Sequence, residues 1–456
     1  MAQKRINKSK FKAGMYLLET LSSGMYNQPL SIYREYVQNA VDSIDKSRSY
    51  NSILKVDITL DPFKSTIIIS DNGEGIKSGK AQEILSNIGL SDKVNDNYRG
   101  FRGIGRLGGI AFSEKVTFKT KAKGEKKESV QEWDCSKLKR IISDSTNSTM
   151  SLRQLFTETT NFFQKRVSKV AGSYFKIILE GVSSYRNDLF DIEKVRNYLS
   201  EVAPLPFDRE QFSFGLEVDD FLEKNLNLYG KYNVFINGEQ IFKPYQDQVR
   251  ITKMGTDLIE SVELFDIYID GDQMGFGWYG KRKNLLGAIN RSTKVSGIRI
   301  RRGNILIGDA HLMDACFRES RFNSYTIGEI HINTPNLIPN SRRDDFIDND
   351  YKAKFYNEVE RKLGFPLSKG IRIKSKLNSE IVKKKKNFKE DNTEEICSFE
   401  KCQKYELREG QLEKSEIIGN IGKCEELLRL INKCVKCKNN AICKEGLVVL
   451  NALRKN

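Results

Sequence analysis

This sequence predicts an α+β fold in three consecutive segments, and three observations carry that prediction. Apolar residues recur at helical spacing between about 11 and 48, and strand-like runs follow them directly. A strand-rich stretch occupies about 208 to 350, with proline-bearing punctuation just before it. Beyond it the pattern turns helical, then lysine-rich, then cysteine-bearing. A chain of 456 residues exceeds a single core, so the segments 1–207, 208–350 and 351–456 are expected to be domains or regions of their own.

In the first segment, Leu17, Leu18 and Leu21, then Ile32, Tyr36, Val37, Ala40, Val41 and Ile44, mark apolar helix faces. Val56 to Leu60 and Thr66 to Ser70 read as a strand pair, turned at Asp61-Pro62. Lys115 to Thr120 reads as a strand with Lys and Thr outward and Val and Phe inward. Tyr174 to Leu179 is a further strand, and residues 191 to 203 form a helix that Pro204 and Pro206 end. In the second segment, Tyr232 to Glu239 reads as a strand entering a turn, and Leu264 to Asp270, Gly297 to Arg301 and Thr326 to Ile332 read as strands. The third segment opens on a helical pattern at Phe355, Val359 and Leu363 and passes into Lys383-Lys384-Lys385-Lys386. There is no internal repeat.

Composition narrows the function classes. Hydrophobic residues at 39% can build cores, and charged residues at 30% suit a water-exposed surface. No run approaches the roughly 20 apolar residues of a membrane span. The basic start lacks an apolar stretch after it, so a secretory signal is not expected. A cytoplasmic protein is expected, its eight cysteines reduced rather than a disulfide framework. The net charge of +16 falls mostly in residues 351–456 and suits either a solvated surface or an acidic partner such as nucleic acid.

Three motifs carry chemistry. Glu35, Asn39 and Asp42 stand at i, i+4 and i+7 and share a helix face. An amide oxygen there can ligate magnesium, and a carboxylate one turn away can deprotonate water. Asp71-Asn72-Gly73-Glu74-Gly75-Ile76 follows the apolar strand Ile67-Ile68-Ile69. A carboxylate at a strand end can accept from an adenine amino group, and the glycines permit a sharp turn close to a base. The run Gly100 to Gly109 has five glycines in ten residues, with Arg102 and Arg106 adding charge. Backbone amides of such a loop can cradle phosphates. Taken singly, these read equally as a polar helix face, an Asn-Gly loop and a loosely spaced glycine loop.

Together and in this order they resemble the GHKL superfamily: gyrase B, chaperones of the ninety-kilodalton heat-shock class, histidine kinases and MutL. Glu35 to Lys46 looks like the chaperone version, and Asp71 to Ile76 with Gly100-Phe-Arg-Gly looks like the MutL version. Ile88 to Lys93 is similar to the segment before the lid in MORC and MutL proteins. The resemblance implies a Bergerat-type α/β sandwich ATPase domain binding ATP with magnesium. It implies Glu35 as general base, Asn39 as magnesium ligand, Asp71 as adenine reader, and Gly73, Gly75 and Ile76 as the base pocket. Gly100, Arg102, Gly103, Ile104 and Gly105 would hold phosphates within a lid of about 85 to 112, with Lys93 nearby and Asp42 behind the first contacts.

A histidine kinase needs an acceptor histidine. The two present, His311 and His331, lie far beyond the nucleotide motifs, and that reading is rejected. Residues 297–347 resemble the βαβ transducer of MORC and chaperone-type proteins, in which an arginine reaches the γ-phosphate. Arg342 and Arg343 stand in the matching stretch, and Lys281 is a further choice. At the end of the chain, Cys397, Cys402, Cys434, Cys437 and Cys443 have spacings from which four thiolates could hold a structural zinc; reduced, unrelated thiols are the other reading. The expected function is a slow, ATP-gated, dimerising clamp, acting on a protein client as the chaperones do, or on DNA as in MORC and MutL.

Overall fold

The computed structural model describes residues 14–16, 28–47, 54–88, 105–147, 149–168, 172–226, 229–252, 255–285, 287–340 and 342–390. Lys93, Gly100, Arg102, Gly103 and Ile104 lie outside the described residues, as do Cys397, Cys402, Cys434, Cys437 and Cys443. The chain divides into two units, Met1–Lys376 and Leu377–Asn456. Among the described residues no helix is long and apolar enough to cross a membrane.

In the first unit, helix α1 spans Ser31–Lys46. Its apolar residues do what their spacing dictates: Ile32, Tyr36, Val37, Ala40, Val41 and Ile44 are all buried, leaving Glu35 and Asn39 half-buried along one edge. Lys46 in the last turn complements the helix dipole, and Ser47 caps it by donating its N–H to the Ile44 carbonyl.

Helix α1 packs on an eight-stranded sheet built from β1 (Lys55–Asp61), β2 (Thr66–Asp71), β3 (Lys115–Lys121), β4 (Lys127–Asp134), β5 (Thr160–Arg166), β6 (Tyr174–Glu180), β7 (Asn233–Ile236) and β8 (Glu239–Ile241). The strand order is β5-β4-β3-β6-β2-β1-β7-β8. Val56 pairs with Asp71, Ile58 with Ile69 and Leu60 with Ile67, so the turn at Asp61-Pro62 sets the register expected from sequence. Every second residue of β2 is buried, which carries Ile67, Ile69 and finally Asp71 onto the same inner face. Strand β7, which lies in the second segment of the sequence, pairs in parallel with β1 and belongs to the first sheet. Its turn uses left-handed backbone at Asn237 and Gly238, as a two-residue hairpin demands. The outward reading of threonines in β3 is also corrected. Thr117 and Thr120 are buried, because β3 is an interior strand and the Thr120 hydroxyl accepts from the Ile76 N–H at 2.9 Å.

The second sheet comprises β9 (Gln248–Arg250), β10 (Thr256–Ile269), β11 (Asp272–Arg282), β12 (Gly297–Arg302), β13 (Ile305–Ile307) and β14 (Ile327–Ile332). Its order is β13-β12-β14-β11-β10-β9, with β12 and β14 parallel. All six residues of β14 are buried, since other layers cover both its faces. Between the sheets, Glu201 from the helix Ile192–Val202 pairs with Arg299 of β12 at 2.6 Å. Nearby, Glu329 of β14 holds Arg301 at 2.5 Å, Lys243 at 2.7 Å and His331 at 3.0 Å. All four are buried, and the Tyr245 hydroxyl donates to the same carboxylate at 3.0 Å. The end of the described chain is helical from Asp350 to Glu390, with one wider turn at Glu360–Gly364 before Pro366.

Candidate nucleotide site

The polar edge of α1 and the loop after β2 meet because Gly73 lies against the last turn of the helix. A Cβ at Gly73 would fall 2.6 Å from the Ser43 carbonyl carbon and 2.7 Å from the Ile44 nitrogen, so only glycine permits this approach. The Glu74 N–H donates to the Ser43 carbonyl at 3.1 Å, and the Gly73 carbonyl accepts from the Ser173 hydroxyl at 2.5 Å. Gly75 has φ +67° and backs onto the Lys121 carbonyl, which closes the turn expected from its sequence.

Asp71 sits at the floor of this junction, 4% exposed. Its Oδ1 accepts the Gly73 N–H at 2.9 Å, and the Ser43 side chain also hydrogen-bonds it. Burial outweighs those bonds and pushes its carboxyl up to about 7. A buried carboxylate with capacity left over is suited to accept from a weak donor such as an exocyclic amine.

Glu35 lies about one turn before Asn39 along the polar edge of α1. Its Oε1 is 3.4 Å from Arg343 Nε and 3.8 Å from Arg34 Nε. Its Oε2 faces Gly105 so closely that a Cβ there would collide with it. Gly105 opens a short 3-10 helix, Gly105–Ala111, and Tyr36 anchors that helix to α1. The Tyr36 hydroxyl accepts the Gly109 N–H at 2.7 Å and donates to the Arg106 carbonyl at 3.2 Å. Periodicity marks Tyr36 as core, and it is fully buried; its hydroxyl gives it this further task, which a helical pattern does not reveal. Ser43 and Arg34 likewise carry no motif that marks them in the sequence.

The structure therefore gathers Glu35, Asn39, Asp42, Asp71, Gly73, Gly75, Ile76 and Gly105 around one helix and its adjoining loops. Asp42 is buried, while Asn39 stays half-buried and turned to the edge. Arg343 joins them through Glu35. Arg342 contributes its carbonyl, which accepts from Arg34 Nη2 at 3.3 Å, while its side chain is exposed. Lys281 does not join this group through any described contact; it is exposed and ion-paired with Glu263 across the β10–β11 hairpin.

The histidine kinase-, DNA gyrase B- and HSP90-like ATPase family matches residues 29–163. Chaperone protein HtpG of Shigella dysenteriae serotype 1 (strain Sd197) is 29% identical over 142 residues, covering 26% of this chain and 22% of that protein. Chaperone protein HtpG of Escherichia coli (strain K12) is 28% identical over 141 residues, with the same two coverages. The chain thus spans about a fifth of the length of these curated relatives, and the family match at 29–163 takes in α1, the loop after β2 and Gly105. Residues 29–163 are thus similar to histidine kinase-, DNA gyrase B- and HSP90-like ATPase domains, and the chain's likeness to curated proteins includes chaperone protein HtpG.

Proposed function

We propose that this protein binds ATP with magnesium and hydrolyses it slowly, as an ATP-gated conformational clamp. The observation that carries this reading is the junction of α1 with the β2 loop, which brings a half-buried Glu35 on the helix and a buried Asp71 at the end of β2 into one neighbourhood. Asp71 reads the adenine amino group. Glu35 draws the proton from the attacking water, and the backbone around Gly105 approaches the phosphates.

Asn39 fits the metal expected with the nucleotide. Among the described residues no group of three His, Cys, Asp or Glu is gathered that could hold an ion. One amide oxygen beside phosphate and water is what magnesium accepts, since it keeps few protein ligands. When bound, magnesium supplies charge neutralisation of the triphosphate. Asp42 supports Asn39 from the buried side of the helix.

In this reading the segments 1–207 and 208–350 close on one another when ATP is held, two copies of the chain pair, and hydrolysis reopens them. The client is a protein, in line with the chaperone likeness. A second reading, a DNA-acting switch, is favoured by the +16 charge and the lysine run at 383–386. Duplex DNA binding measured across salt separates the two: a steep fall in affinity with salt supports DNA as the client, and absence of binding at low salt excludes it.

The direct test is Glu35→Ala in the full chain. Hydrolysis should disappear while calorimetric ATP affinity stays within about threefold, because Glu35 acts on water and not on the base. Equal loss of binding and turnover would refute the role.

A further inference from the structure

Buried arginines in the described chain are paired. Arg301 meets Glu329 at 2.5 Å, Arg299 meets Glu201 at 2.6 Å, and Arg282 meets Asp257 at 3.0 Å. Arg106, half-buried as a residue, departs from this pattern. Its Nε and Nη2 are buried, and neither has a hydrogen-bond partner among the described residues. Burial pulls its guanidinium down to about 10, with no neighbouring charge opposing the shift, so it remains a cation at neutral pH. Buried guanidinium nitrogens without a partner are costly, and an anion brought by a ligand would satisfy them.

The position of Arg106 says which anion. It follows Gly105, whose Cα faces the Glu35 carboxylate, and its own carbonyl is held by the Tyr36 hydroxyl from α1. Its backbone is therefore pinned against the helix that carries Glu35 and Asn39. The side chain leaves a rigid 3-10 turn, and its planar fork presents N–H donors suited to two oxygens of one phosphate.

We propose that Arg106 is a phosphate-binding residue of the nucleotide site, taking a phosphate oxygen of ATP or ADP and distinct from Arg343. This rests on the nucleotide reading above. It assigns to the chain a cation that arrives with the phosphate loop itself rather than from the second sheet.

The test uses the full chain and the variants Arg106→Met and Arg106→Lys. Affinities for ATP, ADP and adenosine are measured by calorimetry, and melting is followed without nucleotide. Arg106→Met should weaken ATP and ADP by about ten- to a hundredfold and leave adenosine, which has no phosphate, unchanged. Its melting temperature without nucleotide should equal or exceed that of the wild type, since an unpaired buried charge has been removed. Arg106→Lys should recover part of the phosphate affinity. Equal weakening of ATP and adenosine would make Arg106 a packing residue and overturn the assignment, as would unchanged ATP affinity in Arg106→Met. If Arg106→Met does not fold, Arg106→Gln takes its place, and a wild-type ATP affinity in that variant overturns the assignment. Failure of the wild type to bind ATP would instead refute the nucleotide reading on which it rests.

Discussion

Arg343 brings its guanidinium Nε to 3.4 Å from Oε1 of Glu35, joining the loop after the second sheet to the helix at the start of the described fold. The two side chains are 13% and 15% exposed, so solvent screens the pair only in part. Arg343 also holds φ +58°, a left-handed conformation that is uncommon outside glycine and asparagine. Its carbonyl accepts the Gly308 N–H at 2.8 Å, which fixes that backbone in place. Strained backbone and a positioned cation together suit a residue kept for its function.

Arg343→Ala should therefore slow ATP hydrolysis on the order of tenfold or more while changing ATP affinity by less than about threefold, since its contact is with the groups that react. Arg342→Ala, whose carbonyl alone makes the described contact, should have the smaller effect on turnover. Steady-state hydrolysis and calorimetry on the two variants decide the order, and an unaffected rate in Arg343→Ala would remove it from the mechanism.

Asp71 carries a pH signature. Its folded carboxyl titrates near 7 because it is buried, against 3.8 for an ordinary aspartate. Between those values the folded chain binds the proton and the unfolded chain does not. Stability contributed by this group is thus greatest at acid pH and falls as pH rises toward 7. Asp71→Asn cannot titrate, so its stability relative to wild type should rise by up to a few kcal/mol between pH 5 and pH 8, read by denaturant melts. The same substitution should abolish ATP binding, and wild-type affinity should fall as pH drops below about 7. Pairs of melts that track each other across pH would show that Asp71 is ionised throughout.

Glu329 is the opposite case. Burial alone would raise its carboxyl, but Arg301, Lys243 and His331 hold it well below the usual carboxylate range. His331 is pushed down to about 4 by the same burial. The unfolded chain takes up a proton on histidine near 6.5, so stability is lost as pH falls from about 6.5 toward 4. Glu329→Gln should cost about 3–5 kcal/mol in urea unfolding at pH 7, because Arg301 and Lys243 remain buried without a counter-charge. A loss under about 1 kcal/mol would mean that solvent reaches the cluster.

The cysteine-bearing end makes a separate prediction, motivated by its thiol spacing. Purified full-length protein should contain one zinc per chain, held by Cys397, Cys402, Cys434 and either Cys437 or Cys443. Elemental analysis showing less than about a tenth of an equivalent, with all eight thiols titratable in the native state, eliminates the site.

Much of the site was legible in the chain itself. Helix α1, the β1–β2 turn and the loop after Asp71 are short-range features, written in neighbours three or four residues apart on a helix and two apart on a strand. The alternation of β2 even fixes that Asp71 must face inward with Ile67 and Ile69. What tertiary structure alone decided are the meetings between distant stretches. Strand β7 joins β1 and not the second sheet, Arg343 and not Lys281 reaches Glu35, and Arg301, Lys243 and His331 converge on Glu329. Such contacts leave no periodic trace, because an arginine reads the same in sequence whether water or a carboxylate faces it. The difference between surface charge and site charge is burial, and burial is a property of which surfaces pack together.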